Sequence, residues 1–299
     1  MILAVCLNFA LDLTYTVDEL RPHTTNRVTE VRSRAGGKGV NVARVLDGLG
    51  HEVVVTGFAG GRVGDAARAE LRSAGLVDEL VPVAGETRRT LIVLEDKGGE
   101  PTGISEPGPV VSAEEWEGFV ERFTALTAGA GGVALSGSLP PGVPADAYAT
   151  LARESAAPVL LDTSGEALRE GVRGAPAIVK PNRLELADLA DGDDPVEAAQ
   201  RVIAMGPEAV VVSAGADGVL AVTPEGVLRA APPEAVEGNP IGAGDAAAAA
   251  LVAGLVAGTP WAERLADAVA LSAAAVHAPV AGSFDADAYA RYRRTVVAA

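Results

Sequence analysis

The chain has one cysteine, three histidines and three lysines among its 299 residues. A lone cysteine leaves no disulfide framework, and Cys6 sits in an apolar run that reads as a buried strand. His23, His51 and His277 are scattered, so no zinc-ligand spacing exists. Positive charge is short too: 24 Lys and Arg stand against 40 Asp and Glu, a net charge of -16. Nothing would offset repulsion from a phosphate backbone, which excludes a general nucleic-acid binder. The longest apolar run, 246–257, is about a dozen residues, well below the roughly 20 that span a bilayer. Residues 1–7 carry no basic segment and run straight into a strand-like pattern, so neither a signal peptide nor a membrane anchor is expected. The expectation is a cytoplasmic protein. Disorder is excluded because 48% of the chain is hydrophobic, ample for a sizeable core.

What is present is ordered alternation. Short β-branched runs at 2–7, 52–58, 132–136, 158–162, 177–180 and 209–213 read as strands buried on both faces. Amphipathic stretches at 40–49, 65–74, 145–154, 164–170 and 195–205 read as helices between them. This pattern predicts an α/β fold, a doubly wound and mostly parallel sheet flanked by helices. A hairpin-like pair at 219–222 and 227–230 precedes helices at 245–257, 261–276 and 285–297. Two polar, extended stretches, 12–34 and 87–104, interrupt the alternation. They read either as disordered insertions or as strands of a small second sheet, a β-sheet lid over the carboxyl ends of the main strands.

The three lysines mark the loops. Lys97 falls in a plain turn-like stretch, Lys38 in Gly36-Gly37-Lys38-Gly39, and Lys180 in Lys180-Pro181-Asn182. The strongest fragment is Asn239-Pro240-Ile241-Gly242-Ala243-Gly244-Asp245, just before an Ala-rich helix. Its glycines let consecutive N–H groups converge at a helix N-terminus, an anion hole, with an ionised Asp245 in the first turn. An ordinary Asp helix cap looks the same. The dinucleotide fingerprint is rejected, because helices follow and no second strand ends in an acid about 20 residues on. No Walker lysine exists either, since Gly37-Lys38 is followed by Gly39. Around Lys38, glycines allow close backbone approach and Asn41 offers donors and an acceptor, which suits either a hydroxyl-rich ligand or a capped turn. Asn182 and Glu185, three apart, suit either a hydrated Mg²⁺ or a capping box.

Taken together, these loops are similar to those of the ribokinase-like phosphofructokinase-B family of carbohydrate kinases, in its 1-phosphofructokinase and tagatose-6-phosphate kinase branch. The Gly-Gly motif at 36–37 resembles the family's first signature, Gly242 to Asp245 its second, and Asn182…Glu185 its metal-linked motif. Asn8…Asp12, Glu86-Thr87-Arg88, Ser136-Gly137-Ser138-Leu139-Pro140-Pro141-Gly142 and Asp162-Thr163-Ser164-Gly165 follow in the family's order. The resemblance spans nearly the whole chain and implies a single ribokinase-like kinase domain over 1–299. It implies that Asp245 accepts the proton of a sugar hydroxyl while Gly242, Ala243 and Gly244 stabilise the transferring phosphoryl group. Asp12, Gly37 and Asn41 would hold sugar hydroxyls, with Lys38 and Ser138 completing the substrate set. Lys180, Asn182, Ser213 and Gly215 would line the groove for ATP, and Glu185, with Asn182, would hold Mg²⁺ through water.

Arg27 and Arg88 match positions at which the phosphosugar branch holds its substrate phosphate, and a guanidinium suits that task. Lys38 does not discriminate, because kinases of neutral sugars share Gly-Gly-Lys-Gly. The expected acceptor is a ketohexose phosphate, fructose 1-phosphate first, with tagatose 6-phosphate or fructose 6-phosphate as alternatives. A catalytically silent sugar-phosphate-binding regulator is the reading from another class. Phe9 in place of the branch's proline, and the stretch 102–106, depart from its pattern near the sugar. Pairing of the lids of two subunits would cover an exposed edge, so a homodimer is expected.

Overall fold

The computed structural model describes residues 1–299 apart from Lys97, Gly99, Glu100 and Asp193, so the turn read at Lys97 lies outside the described residues. Among the described residues the strands are β1 (Ile2–Cys6), β2 (Ala10–Val17), β3 (Val28–Gly36), β4 (Val53–Ala59), β5 (Val77–Asp78), β6 (Val81–Pro82), β7 (Arg88–Glu95), β8 (Thr102–Ser105), β9 (Gly132–Ser136), β10 (Val159–Asp162), β11 (Ile178–Val179), β12 (Ala209–Ser213), β13 (Val219–Thr223) and β14 (Gly226–Ala230). The helices are α1 (Lys38–Gly48), α2 (Gly61–Ser73), α3 (Ala113–Thr127), α4 (Ala147–Glu154), α5 (Gly165–Gly171), α6 (Arg183–Leu189), α7 (Pro195–Ile203), α8 (Ala243–Ala257), α9 (Trp261–Val276) and α10 (Ala286–Thr295).

The main sheet runs β14-β13-β12-β11-β10-β9-β1-β4-β5, parallel from β5 to β12 and closed by the antiparallel β13–β14 hairpin. Winding leaves β1 in both directions, toward β4 on one side and β9 on the other. The order therefore reverses at β1, and open α/β sheets bind ligands beyond the carboxyl ends of strands at such a point. Side chains of β1 alternate between two cores. Ile2, Ala4 and Cys6 pack with α1, α2, α8, α9 and α10, while Leu3, Val5 and Leu7 pack with α3 to α7. Ala246 to Ala250 are all buried, so α8 is apolar on every side and lies wedged against α1, α9, β9 and β10.

Described residues of the stretches 12–34 and 87–104 supply a second sheet, ordered β3-β2-β7-β8. In the first stretch the strands run past the polar residues at both ends, because Ala10 pairs with Gly36; in the second they run from Arg88 to Ser105. Two helices, α3 and the short α6, lie outside the helical stretches read from the sequence. Ser112 and Glu115 cap α3 reciprocally, the Ser-x-x-Glu pattern that signals a helix start. No helix among the described residues is long and apolar enough to cross a membrane.

Candidate active site

Five strand ends converge below the second sheet. Asn8 follows β1, Ser138 follows β9, Asp162 ends β10, Lys180 follows β11 and Ser213 ends β12. Lys180 stays in register past its two-residue strand because its N–H donates to Leu161 O at 2.9 Å. That places it beside Asp162. Lys180 Nζ lies 3.2 Å from Asp162 Oδ2, and Lys38 Nζ, from the first turn of α1, lies 3.2 Å from Oδ1. Asp162 is 1% exposed, so one buried carboxylate is shared by two lysines from opposite sides. Burial pushes Lys38 down, but Asp162 and Asp245 together hold it above the ordinary lysine value.

Asp245 enters the same crevice from the N-terminus of α8 and is 6% exposed. Asn41, one turn into α1, donates from Nδ2 to Asp245 Oδ2 at 2.8 Å. Burial, then the charge of Asp162, raises the Asp245 carboxyl to about 6; Lys38, Asn41 and Lys180 hold it from going further. Asp245 is thus ionised at pH 7 yet basic enough to take a proton. Gly242 caps α8 with φ +89°, and the Ala246 N–H donates to its carbonyl at 2.9 Å. The Ala243 N–H is spent on Pro240 O at 3.2 Å. Of the loop amides expected to meet an anion, those of Gly244 and Asp245 belong to the first turn, which has no intrahelical partner for them. Lys180 Nζ lies against Gly244.

Three cavities open around this centre. The first, about 310 Å³, lies between the second sheet and the core and is lined by Asp12, Thr14, Arg34 and Asn41. The Asp12 carboxyl is raised by burial, against the pull of Arg88, and its Oδ1 is buried with no partner. Such an orphaned acceptor invites a hydroxyl donor. The second, about 320 Å³, is lined by Lys38, Arg88, Asn8, Ser138, Thr163 and Ser164. Cys6 also borders it, but burial pushes its thiol up to about 11, so it is a neutral wall and not a nucleophile. The third, about 510 Å³, runs from Ala243 past Val236, Val269 and Ala273 to Gly215, an apolar slot suited to a flat base.

Most of the residues read from the sequence therefore meet: Asp12, Gly37, Lys38, Asn41, Arg88, Ser138, Lys180 and the loop from Gly242 to Asp245. Ser213 bridges to Asn182, and Gly215 edges the third cavity. Asn182 and Glu185 form a capping box, Asn182 Oδ1 accepting from the Glu185 N–H at 2.9 Å and Glu185 Oε2 from the Asn182 N–H at 2.8 Å. Arg27 is not brought to the others. It precedes β3 where Val28 pairs with Val17, at the far end of the sheet from the Asp12–Arg34 pair. Six strand residues make that separation about 20 Å. Asp162 and Asn8 stood in matched motifs but not among the expected site residues. Their signal was position: Asn8 follows β1, where the order reverses, and Asp162 ends the buried strand β10, two places away.

A sequence profile of the pfkB family carbohydrate kinases matches residues 2–287, and the chain belongs to that family. It is an ATP-dependent carbohydrate kinase with a ribokinase-like fold. Phosphofructokinase-2 from Escherichia coli, in complex with potassium, is 28% identical with a TM-score of 0.92, over 98% of each chain. A possible 1-phosphofructokinase from Thermotoga maritima is 26% identical with a TM-score of 0.89, over 100% of this chain and 98% of that one. Ribokinase from Thermotoga maritima, 19% identical at a TM-score of 0.78 over 98% of this chain and 99% of that one, shares the fold.

Proposed function

We propose that the acceptor is a ketohexose phosphate, and that fructose 1-phosphate, giving fructose 1,6-bisphosphate, is the first to test. One observation carries the reading. In a chain of net charge -16, the cavity beside the base holds Lys38, Arg88 and several hydroxyls, and none of its lining residues is acidic. Kinases of neutral sugars share Lys38, so Arg88 decides: a neutral sugar has no use for a second cation there, and a phosphate dianion does. The hydroxyls of the sugar would meet Asp12 and Asn41 in the adjoining cavity.

Asp245 then takes the proton of the acceptor hydroxyl as its oxygen bonds to the γ-phosphorus of ATP. The bond from that phosphorus to the bridging oxygen breaks, and ADP carries the electron pair away. The amides at the start of α8 and the Lys180 ammonium face the charge on the phosphoryl group in flight, where positioning and electrostatics supply most of the catalysis. The apolar slot ending at Gly215 suits the adenine. Glu185 spends Oε2 on the helix cap, while its charge reaches Lys38 across the cleft. With Asn182 it fits a Mg²⁺ held through water, which when bound would neutralise phosphate charge.

The second sheet has an apolar face opposite Asp12, on which Leu13, Tyr15 and Leu91 lie between Val31, 58% exposed, and Ile104, 59% exposed. The exposure of that face supports a homodimer through the lid, in which a second copy would cover it. Sedimentation of a monomer at micromolar concentration would remove that part of the reading.

The substrate test is ADP release with Mg-ATP on fructose 1-phosphate, fructose 6-phosphate, tagatose 6-phosphate and free fructose. Turnover of one phosphosugar is expected, with its KM raised about tenfold to a hundredfold in Arg88→Ala. Turnover of free fructose alone would overturn the phosphate argument. Binding of sugar phosphate without any ADP would mark a silent regulator.

A further inference from the structure

We propose that Asn8 is the positioning residue of the anion cavity, fixing the direction of two of its donors at once. This rests on the phosphosugar reading above. Asn8 follows β1 at the order reversal and is 5% exposed. Its Nδ2 donates to Pro107 O at 3.1 Å and to Ser138 Oγ at 3.0 Å. A carbonyl only accepts, so the amide cannot be turned the other way without setting two oxygens face to face. With that orientation settled, Ser138 Oγ must accept from Asn8. The hydroxyl proton of Ser138 is therefore not directed at Asn8 and is left free to donate into the cavity.

The main chain of the same residue orients Arg88. Arg88 Nε donates to Asn8 O at 3.0 Å, and Nη1 reaches Glu106 O at 3.4 Å. Two carbonyls thus hold the guanidinium at Nε and Nη1, leaving its remaining N–H groups for the cavity that Arg88 lines. On the other side Asn8 Oδ1 is buried without a partner against Gly108, whose φ is +102° and where a Cβ would overlap it. The side chain is clamped at every atom but this one, and the clamp accepts an unpaired oxygen to keep the amide in place. Lys38, held by Asp162, supplies the third donor. The cavity then holds two cations and a directed hydroxyl proton with no acidic side chain in its lining, which favours a phosphate over a hydroxymethyl group.

Asn8→Asp keeps the shape and reverses the logic. A carboxylate cannot donate to Pro107 O, it draws the Ser138 proton toward itself, and it sets a like charge beside the bound anion. Asn8→Asp and Ser138→Ala are each expected to raise KM for the turned-over phosphosugar about tenfold to a hundredfold. The kcat and the KM for ATP should stay within about twofold. Turnover of free fructose, where measurable, should not fall in either variant. The double variant should show a KM rise well short of the product of the single ones, because Ser138 acts through the proton that Asn8 directs.

Equal rises in KM for ATP and phosphosugar, or multiplicative single effects, would overturn the proposal. Ser138 is exposed, so its replacement tests the donor even if Asn8→Asp does not fold. An unchanged phosphosugar KM in Ser138→Ala overturns it as well. The two readings separate at Arg88→Ala. A raised KM there with no effect at Asn8 and Ser138 defeats only the role of Asn8. Indifference of the parent enzyme and of Arg88→Ala to the sugar's phosphate defeats the phosphosugar reading and this proposal with it.

Discussion

Replacing Asp245 by asparagine is expected to lower kcat by about a thousandfold, with the KM values for ATP and sugar within a few fold. A positioned general base contributes roughly 10² to 10⁴, and the amide retains the Asn41 hydrogen bond while losing the basic oxygen pair. The same variant should be more stable than the parent at pH 8. The Asp245 carboxyl is lifted from 3.8 to about 6 on folding, so above that range the folded chain carries a buried charge that the unfolded chain carries in water. Two pH units correspond to about 3 kcal/mol, or up to about 5 °C in Tm for a chain of this length. As pH falls through 6 the folded parent takes up its proton before the unfolded chain does. Its handicap then shrinks, and the two Tm values should meet near pH 4. The pH profile of kcat has a matching sign: activity of the parent should fall as pH drops through about 6. Asp162→Asn removes the second cause of that raised value and should move the acid limb to lower pH. An Asp245→Asn enzyme with undiminished kcat, or a Tm difference that does not vary with pH, would remove the base assignment.

The local parts of this account are legible in the sequence because they are local. Strands buried on both faces are continuous apolar runs, which is why 132–136 and 209–213 coincide with β9 and β12. The loop before α8 carries its glycines and its acid side by side. What sequence order hides is contact between distant segments. Lys38 and Asp162 are 124 residues apart, and only the reversal of strand order at β1 brings α1 over the end of β10. Asn8 and Ser138, 130 apart, meet for the same reason. Spacing alone also leaves roles degenerate. Asn182 and Glu185 cap α6 with the very spacing read as a metal motif, and the cap does not consume every oxygen. Arg27 shows the converse, since a residue near a motif in sequence travels wherever hairpin register takes it, here to the far end of the second sheet. Helix α3 is announced by the Ser112 and Glu115 cap more than by its apolar pattern, since only Phe119, Phe123 and Thr127 of its fifteen residues are buried.

Gly242→Ala is expected to cost about a hundredfold to a thousandfold in kcat while leaving the sugar-phosphate KM within a few fold. At φ +89° any side chain is strained by roughly 1–3 kcal/mol, and here the space is also taken. A Cβ on Gly242 would lie 2.8 Å from Ala281 Cα and 2.9 Å from Ala281 Cβ, so backbone must move. Relief can come from two sides. Either the first turn of α8 shifts and the Gly244 and Asp245 amides leave the phosphoryl position, or the 279–282 loop withdraws. That loop is not free to withdraw cheaply. Ala281 O accepts from Arg34 Nη1 at 3.1 Å, which ties it to the second sheet, and Gly282 packs against Asn41, the partner of the base. Both routes therefore disturb the charge-stabilising side of the site, while the cavity of Lys38, Arg88 and Ser138 lies on other elements and keeps its donors. Removing one donor from such an anion hole costs about 10² to 10³ in kcat, and misplacing two should cost no less. Steady-state kinetics with calorimetric binding of the sugar phosphate separate these terms. Unimpaired turnover in Gly242→Ala would mean that the start of α8 is a helix cap and nothing more, and lost sugar binding would place the loop, not the helix, at the substrate.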